Sequence, residues 1–203
     1  MKPEIRYLAL GDSYTVGESL EPSGSFPYQL AERLRARVLI RPTVVAKTGW
    51  TTDELLGHLA EHPVDGSFDL VSLLIGVNNQ YRDYPLDTYQ KEFSALLGLA
   101  IDFAGGNKER VIVISIPDWG VTPFASGDQR SASEIAAGID RFNAVSRKVT
   151  GEADVRYISI TEDSRKAATD PGLIAADGLH PSENMYSGWV DRISCVVEDL
   201  LDS

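Results

Sequence analysis

Hydrophobic residues follow two alternating patterns along the chain. Short runs rich in Val, Ile and Leu alternate with longer stretches in which apolar residues recur every three or four positions. The short runs are typical of strands covered on both faces, and the long stretches are typical of amphipathic helices. The predicted strands cover 5–10, 43–47, 69–76, 110–116 and 155–160, and the predicted helices cover 25–37, 52–62, 86–104, 131–149 and 183–202. This order predicts an α/β fold with a parallel sheet and helices on both faces.

Length and composition narrow the function classes. The 203 residues, 43% of them hydrophobic, are enough for one domain over 1–203 with a substantial core. The net charge of −11 argues against binding to a phosphate backbone, so no nucleic-acid partner is expected.

The N-terminus enters a predicted strand almost at once, and no apolar run reaches membrane-spanning length. Both features favour a cytoplasmic protein without stable membrane insertion, although a processed secreted form fits too. The oligomeric state stays open. Cys195 lies among Val190, Ile193 and Val197 and is expected to be a buried core thiol.

Polar residues and glycines stand where predicted strands end. Ser13 follows the first strand, Gly49 the second and Asn78 the third, while Asp177 and His180 follow the fifth. Ligands of open α/β sheets bind at the carboxyl ends of the strands, so these residues are expected to meet. His180 precedes Pro181, which favours an extended loop. A serine needs a base to become a nucleophile, and His180 oriented by Asp177 could be that base.

The same strand ends offer donors for the oxyanion that forms in acyl transfer. The backbone N–H groups of Ser13 and Gly49 and the side-chain amide of Asn78 are the predicted donors. Aromatic residues near these strand ends could line an acyl or alcohol pocket. They are Tyr14, Trp50, Tyr81, Trp119 and Phe124. The irregular segment 117–130 is the longest in the chain and is expected to be a pocket wall and a lid.

The motifs together resemble those of the SGNH hydrolases, also called GDSL esterases and lipases. The four blocks are Gly11-Asp12-Ser13-Tyr14, Gly49, Gly76-Val77-Asn78-Asn79 and Asp177-Gly178-Leu179-His180. The resemblance implies a three-layer α/β/α sandwich, a five-stranded parallel sheet of flavodoxin-like order and ester or thioester hydrolysis without metal or cofactor. It also implies Ser13 as nucleophile, Asp177 and His180 as its partners, and Ser13, Gly49 and Asn78 as oxyanion donors. Asn79 stands where the family usually has aspartate, which removes a charged supporting contact.

Other interpretations remain. Esterases, thioesterases, carbohydrate deacetylases, lysophospholipases and acyltransferases share this resemblance, so the substrate is open beyond a small-molecule acyl ester. The first loop could instead bind FMN or phosphate in a flavodoxin-like module, although that leaves His180 unused, and a catalytically dead scaffold is a third interpretation. His58 and His62, with Glu61, fit a zinc-peptidase pattern. Pro63 predicts that the helix ends there, so we expect a solvated helix end and no metal.

Overall fold

A computed structural model describes residues 2–201 and has a single five-stranded sheet within them. The strands are β1 (Glu4–Gly11), β2 (Leu39–Ala46), β3 (Leu70–Leu74), β4 (Val111–Ile114) and β5 (Arg156–Ile158). All neighbouring strands are parallel, and their order is β2-β1-β3-β4-β5. This is the flavodoxin-like order, with its switch point where β2 and β3 flank β1. The predicted fold class is therefore confirmed.

Helices cover both faces of the sheet. They are α1 (Ser13–Val16), α2 (Phe26–Arg33), α3 (Thr52–Glu61), α4 (Val77–Tyr81), α5 (Leu86–Phe103), α6 (Ala132–Glu152), α7 (Thr161–Arg165) and α8 (Glu183–Leu201). Helix α2 packs against α8, whereas α5 packs against both α3 and α6, which forms the two outer layers. Among the described residues, each helix is too short or too polar to cross a lipid bilayer.

The five long helices and all five strands fall where the hydrophobic pattern predicts them, with shifted ends. Residue 202, the last of the predicted C-terminal helix, lies outside the described residues. Strand β2 begins at Leu39, four residues before its predicted start, and continues through Pro42. Proline is tolerated in β2 because this is an edge strand of the sheet.

The expectation of a buried thiol at Cys195 is wrong, because the residue is exposed. Helix α8 buries Trp189, Ile193 and Val197 against the core. Cys195 follows Ile193 by two residues, which is more than half a helical turn, so it faces outward. Its Sγ lies 3.2 Å from the carbonyl oxygen of Asp191 one turn earlier.

Candidate active site

Ser13 lies at the switch point of the sheet, as the first residue of α1 directly after β1. Asp12 caps this short helix, because its Oδ1 accepts a hydrogen bond of 3.0 Å from the Tyr14 N–H. The tight turn needs glycine at position 11, since a Cβ there would lie 2.1 Å from Thr15 Oγ1. The Ser13 side chain is almost fully buried, and its N–H, as the first of the helix, has no acceptor within α1. Ser13 therefore has both its side-chain hydroxyl and its backbone N–H at the start of α1, next to the carboxyl end of β1.

Asp177 and His180 form a tight pair in the segment between α7 and α8. His180 Nδ1 and Asp177 Oδ2 are 2.6 Å apart, and the other carboxylate oxygen accepts the backbone N–H groups of Leu179 and His180 at 2.9 and 3.0 Å. The loop is fixed by an antiparallel bridge between Ile174 and Pro181. His180 is 7% exposed.

The charge state of Asp177 follows from its surroundings. Partial burial acts to raise its pKa, but the hydrogen bonds from His180, Leu179 and Ser19 outweigh burial and hold the pKa well below its usual range. The carboxylate is therefore ionised at neutral pH and can only accept hydrogen bonds. It fixes the proton of a neutral imidazole on Nδ1, which leaves Nε2 of His180 as an acceptor.

Asn78 and Asn79 lie on α4, the short helix that follows β3. The Asn78 amide donates one hydrogen bond of 2.9 Å to the Trp50 carbonyl, which leaves its second N–H for another acceptor. Asn79 is fully buried and makes two contacts with Thr52 at the start of α3. Its Oδ1 accepts the Thr52 N–H at 3.1 Å and its Nδ2 donates to Thr52 Oγ1 at 2.7 Å. An aspartate carboxylate could not donate the second bond, so Asn79 makes a hydrogen bond to Thr52 Oγ1 that an aspartate at this position would not make.

Gly49 adopts a left-handed backbone with φ of 86°, in the loop that leads from β2 to α3. Glycine suits position 49 because of this angle rather than crowding, since a Cβ there would meet only Arg82 Nη2, at 3.7 Å. The Arg82 guanidinium donates to the Gly49 carbonyl at 2.7 Å, which ties the loop to the residue after α4.

Most of the predicted site residues line one small cavity of about 90 Å³. Its lining residues are Ser13, Tyr14, Val77, Asn78, Tyr81, Trp119, Phe124, Leu179 and His180. The predicted site residues Gly49, Trp50 and Asp177 are not among them. Asp177 contacts the cavity only through His180, and Trp50 packs against the His58 ring with centroids 4.7 Å apart. A more open depression of about 670 Å³ between α2 and β2 contains none of the predicted site residues.

One wall of the cavity is aromatic. Tyr81 and Trp119 meet edge to face with ring centroids 5.3 Å apart, and Phe124 lies 6.1 Å from each of them. The Arg130 guanidinium lies over the Trp119 and Tyr81 rings, at 5.2 and 5.7 Å. Tyr81 and Phe124 are 43% and 44% exposed, so this wall forms the mouth of the cavity.

Sequence reasoning missed four residues of this region. Val77 and Leu179 lie inside the motif blocks and could have been included on that basis. Ser19 donates to Asp177 and Arg130 lies over the Tyr81 ring, but neither carries a sequence signal, because these partners are 158 and 49 residues away along the chain.

The two histidines at the end of α3 are stacked on each other, with ring centroids 4.5 Å apart. Helix α3 ends at Glu61, as Pro63 predicts, and His62 is exposed. Within residues 2–201, no three or more His, Cys, Asp or Glu side chains are grouped so that they could hold a metal ion.

Comparison with known proteins identifies a family and similar folds. Residues 9–187 match the family described as GDSL-like Lipase/Acylhydrolase. The fold is similar to that of TesA, with 19% identity, a TM-score of 0.72 and coverage of 96% of this chain and 99% of that one. It is also similar to Axe2, an acetylxylan esterase from Geobacillus stearothermophilus, with 18% identity, a TM-score of 0.72 and coverage of 98% and 94%. The esterase EstA from Pseudoalteromonas sp. has 15% identity, a TM-score of 0.71 and coverage of 98% and 99%. No curated protein matches the chain at a significant level.

Proposed function

The chain belongs to the GDSL-like lipase/acylhydrolase family, and on this premise we propose that it is a serine esterase that cleaves small or medium acyl esters through an acyl-enzyme. The observation that carries the proposal is the cavity lined by Ser13, His180 and Asn78 together. Behind it, the Asp177 carboxylate accepts from the far side of the imidazole at 2.6 Å. A nucleophile, a base, an orienting carboxylate and an amide donor are the groups that acyl transfer needs.

In the proposed mechanism, Ser13 Oγ attacks the ester carbonyl carbon while His180 Nε2 takes the hydroxyl proton. The ionised Asp177 stabilises the imidazolium that forms and keeps its ring orientation. The tetrahedral intermediate collapses when its bond to the alcohol oxygen breaks and the imidazolium gives its proton to that oxygen. Water then attacks the acyl-serine with His180 as base again, which releases the acid and restores the Ser13 hydroxyl.

The negative charge on the intermediate's oxygen requires donors that are already in place. The Ser13 N–H at the start of α1 and the second N–H of the Asn78 amide support this role. Gly49 is proposed as the third donor, from a loop held by Arg82. Loss of one such donor typically costs about 10²–10³-fold in kcat.

The binding alternative is weaker than the esterase proposal. A flavodoxin-like module would place a phosphate at the N-terminus of α1. The side chain of Asp12 already caps this four-residue helix by accepting from Tyr14 N–H. A carboxyl group here takes the position that the anion would need, and it repels phosphate when ionised.

The test is a comparison of wild type with Ser13→Ala, using a fluorophosphonate probe and a short-chain aryl ester. We expect wild type to be labelled at Ser13, located by mass spectrometry of the modified peptide. Ser13→Ala should not be labelled and should lose at least about 10⁴-fold in kcat. Phosphonate chemistry suits the test because EstA, which has a similar fold, is inhibited by monoethylphosphonate.

The matched control is Ser133→Ala, which removes an exposed serine hydroxyl on α6. This variant should be labelled and should turn over ester like wild type. Labelling of Ser13→Ala at the wild-type rate, or wild type without any turnover across an ester panel, would contradict the proposal.

A further inference from the structure

Ser19 has an uncommon backbone conformation close to the proposed active site. Its φ is 68°, in the left-handed region, and the only other non-glycine residues with positive φ in the described part of the chain are Asp83 and Asp154. Aspartate tolerates this region better than serine does, and strained residues that persist in a fold cluster at functional sites. The conformation at Ser19 therefore needs an explanation from its contacts.

The Ser19 hydroxyl supplies one. Its Oγ donates a hydrogen bond of 2.7 Å to Oδ2 of Asp177, which lies 158 residues later in the chain. The same oxygen accepts from His180 Nδ1 at 2.6 Å. Oδ1 is already taken by two backbone N–H groups, so Ser19 and the imidazole share the remaining oxygen.

The turn that carries Ser19 is also attached to the nucleophile. The Ser13 carbonyl accepts from the N–H groups of Gly17 and Glu18 at 2.9 and 3.1 Å, and Leu20 N–H closes the turn on Gly17. Thr48 Oγ1 donates to the Glu18 carboxylate, which links the turn to the loop that carries Gly49. A displacement of Ser19 would thus be opposed from two sides.

We propose that Ser19 is a positioning residue for the Asp177–His180 pair. Its hydroxyl holds Oδ2 where it accepts the Nδ1–H of His180, and the bond spreads part of the carboxylate charge onto a second donor. The left-handed backbone places the hydroxyl there. This inference rests on the proposed function, since it assigns Ser19 a role in the same reaction.

Several titratable groups surround the pair, and all of them are retained when Ser19 is substituted. Tyr14 packs on the His180 ring with centroids 5.3 Å apart. Asp12 from the start of α1 and Asp118 from segment 117–130 act electrostatically on Tyr14. Asp12 and Glu18, the latter from the turn, act in the same way on Tyr186 of α8.

The experiment compares Ser19→Ala with Ser19→Gly. Both remove the hydroxyl, but glycine relieves the left-handed strain whereas alanine retains it, so thermal stability should be higher for Ser19→Gly. If the hydroxyl positions Asp177, both variants should lose about tenfold in kcat, as expected for one hydrogen bond to a charged group, with KM little changed. The acidic limb of kcat/KM should move to higher pH in both, because a carboxylate with one donor fewer holds the imidazolium more strongly. Ser94→Ala, which removes an exposed serine on α5, should match wild type in every measurement.

A purely structural role for Ser19 predicts a different result. Activity would then follow stability, with Ser19→Gly at least as active as wild type and an unchanged pH profile, and that result would overturn the inference. A second readout does not need turnover. The low-field proton NMR signal of the Asp177–His180 hydrogen bond, identified by its loss in His180→Gln, should shift in both Ser19 variants.

These readouts separate the two proposals. If the wild type is active and both Ser19 variants have the same NMR signal and kinetics as the wild type, only the positioning role of Ser19 is refuted. If the wild type hydrolyses no ester but the NMR signal still shifts in the Ser19 variants, the esterase proposal is refuted. The contact between Ser19 and the Asp177–His180 pair is then still supported.

Discussion

Asp12 precedes the proposed nucleophile and is completely buried. Its Oδ1 accepts from Tyr14 N–H, but its Oδ2 has no hydrogen-bond partner among the described residues. Burial raises the pKa of this carboxyl to about 7, against the opposing effect of the hydrogen bond from Tyr14. The neutral acid is therefore stable in the folded protein at pH values where an exposed aspartate is ionised.

The expected consequence is a fall in stability as pH rises from about 4 to about 7. The unfolded chain loses the Asp12 proton near 3.8, whereas the folded protein keeps it until about 7. The folded state thus binds more protons in this window, so the free energy of unfolding decreases with pH and the loss is complete above about 7. We predict that Asp12→Asn removes this contribution, which is on the order of a few kcal/mol.

Urea unfolding of both proteins between pH 4 and 8 measures the effect. The stability of Asp12→Asn relative to wild type should improve steadily across the window, because asparagine keeps the acceptor for Tyr14 and does not titrate. Asp177 does not interfere, since its lowered pKa puts its own loss of stability at more acidic pH. Parallel curves would refute a raised pKa at Asp12.

For individual residues, the sequence motifs predicted which residues lie near the site better than they predicted the contacts of those residues. Ser13, Asn78 and His180 could be chosen from strand ends because parallel strands bring their carboxyl ends together. Ser19 could not be chosen, because a hydroxyl's partner 158 residues away is set by tertiary structure. Trp50 was predicted to line the pocket because it follows a strand end, but its ring packs against His58 instead. Position at a strand end therefore does not tell where a side chain packs.

Among the elements, the segment 117–130 determines the shape of the cavity. It contains two short 3₁₀ helices, Trp119–Val121 and Pro123–Gly127. Trp119 Nε1 donates to the side chain of Gln80 on α4 at 2.8 Å, and Phe124 N–H donates to the Gly178 carbonyl at 3.0 Å. The segment is therefore bonded both to the helix of Asn78 and to the loop of His180, which supports the expected wall more than the expected lid.

Arg130 closes this segment and binds it to the end of α4. Its guanidinium donates to the carbonyls of Gln80 and Tyr81 and pairs with Asp128 at 2.9 Å and Asp83 at 3.2 Å. Removing the charge takes the guanidinium donors away from these acceptors and the cation away from the aromatic wall. We predict that Arg130→Gln lowers kcat/KM by about tenfold, the scale of one hydrogen bond to a charged group.

Limited proteolysis gives a second measurement of this prediction that does not depend on activity. Cleavage within 117–130 should be faster in Arg130→Gln than in wild type, because the segment opens more often. Arg141→Gln, at an exposed position on α6, is the control and should leave both rates unchanged. Equal cleavage rates of Arg130→Gln and wild type would contradict the prediction. They would mean that the hydrogen bonds of Trp119 and Phe124 hold the segment without Arg130.

Element boundaries illustrate where periodicity stops being informative. Helices α1, α4 and α7 have only four or five residues, too few to display a helical repeat, and none was predicted. Two of them carry Ser13 and Asn78, so the elements that hold proposed catalytic residues are those with the weakest hydrophobic pattern. Long helices such as α5 and α6 were located well because their buried stripes extend over several turns.

For the whole molecule, alternation of strands and helices predicts a parallel sheet but leaves the strand order open. The order came from the resemblance to a family, and it decides which loops meet. With β1 between β2 and β3, the loops after these three strands converge and bring Ser13, Gly49 and Asn78 to one end of the sheet. The acidic net charge of −11 agrees with the predicted absence of a nucleic-acid partner, which stays a prediction.

The size of the cavity leads to a prediction about the acyl group. Its volume of about 90 Å³ is small beside the about 300–1,000 Å³ of sites for drug-sized ligands. Tyr81, Trp119 and Phe124 form a wall that is bonded on both sides, so it cannot easily retreat from a longer chain. We predict that kcat/KM for aryl esters peaks between acetate and butyrate and declines by octanoate.

A series of aryl esters from acetate to dodecanoate tests this prediction, with Phe124→Ala as the matched variant. In a site that accommodates the chain, each buried CH₂ contributes about 0.8 kcal/mol, or about fourfold in kcat/KM, so a fitted long site would give a continuous rise. Phe124 is partly exposed at the mouth, and its truncation should move the optimum toward longer acyl groups without abolishing turnover of acetate. A rise beyond octanoate in the wild type would mean that the acyl chain leaves the cavity across the aromatic mouth, and the protein would then act as a lipase rather than a short-chain esterase.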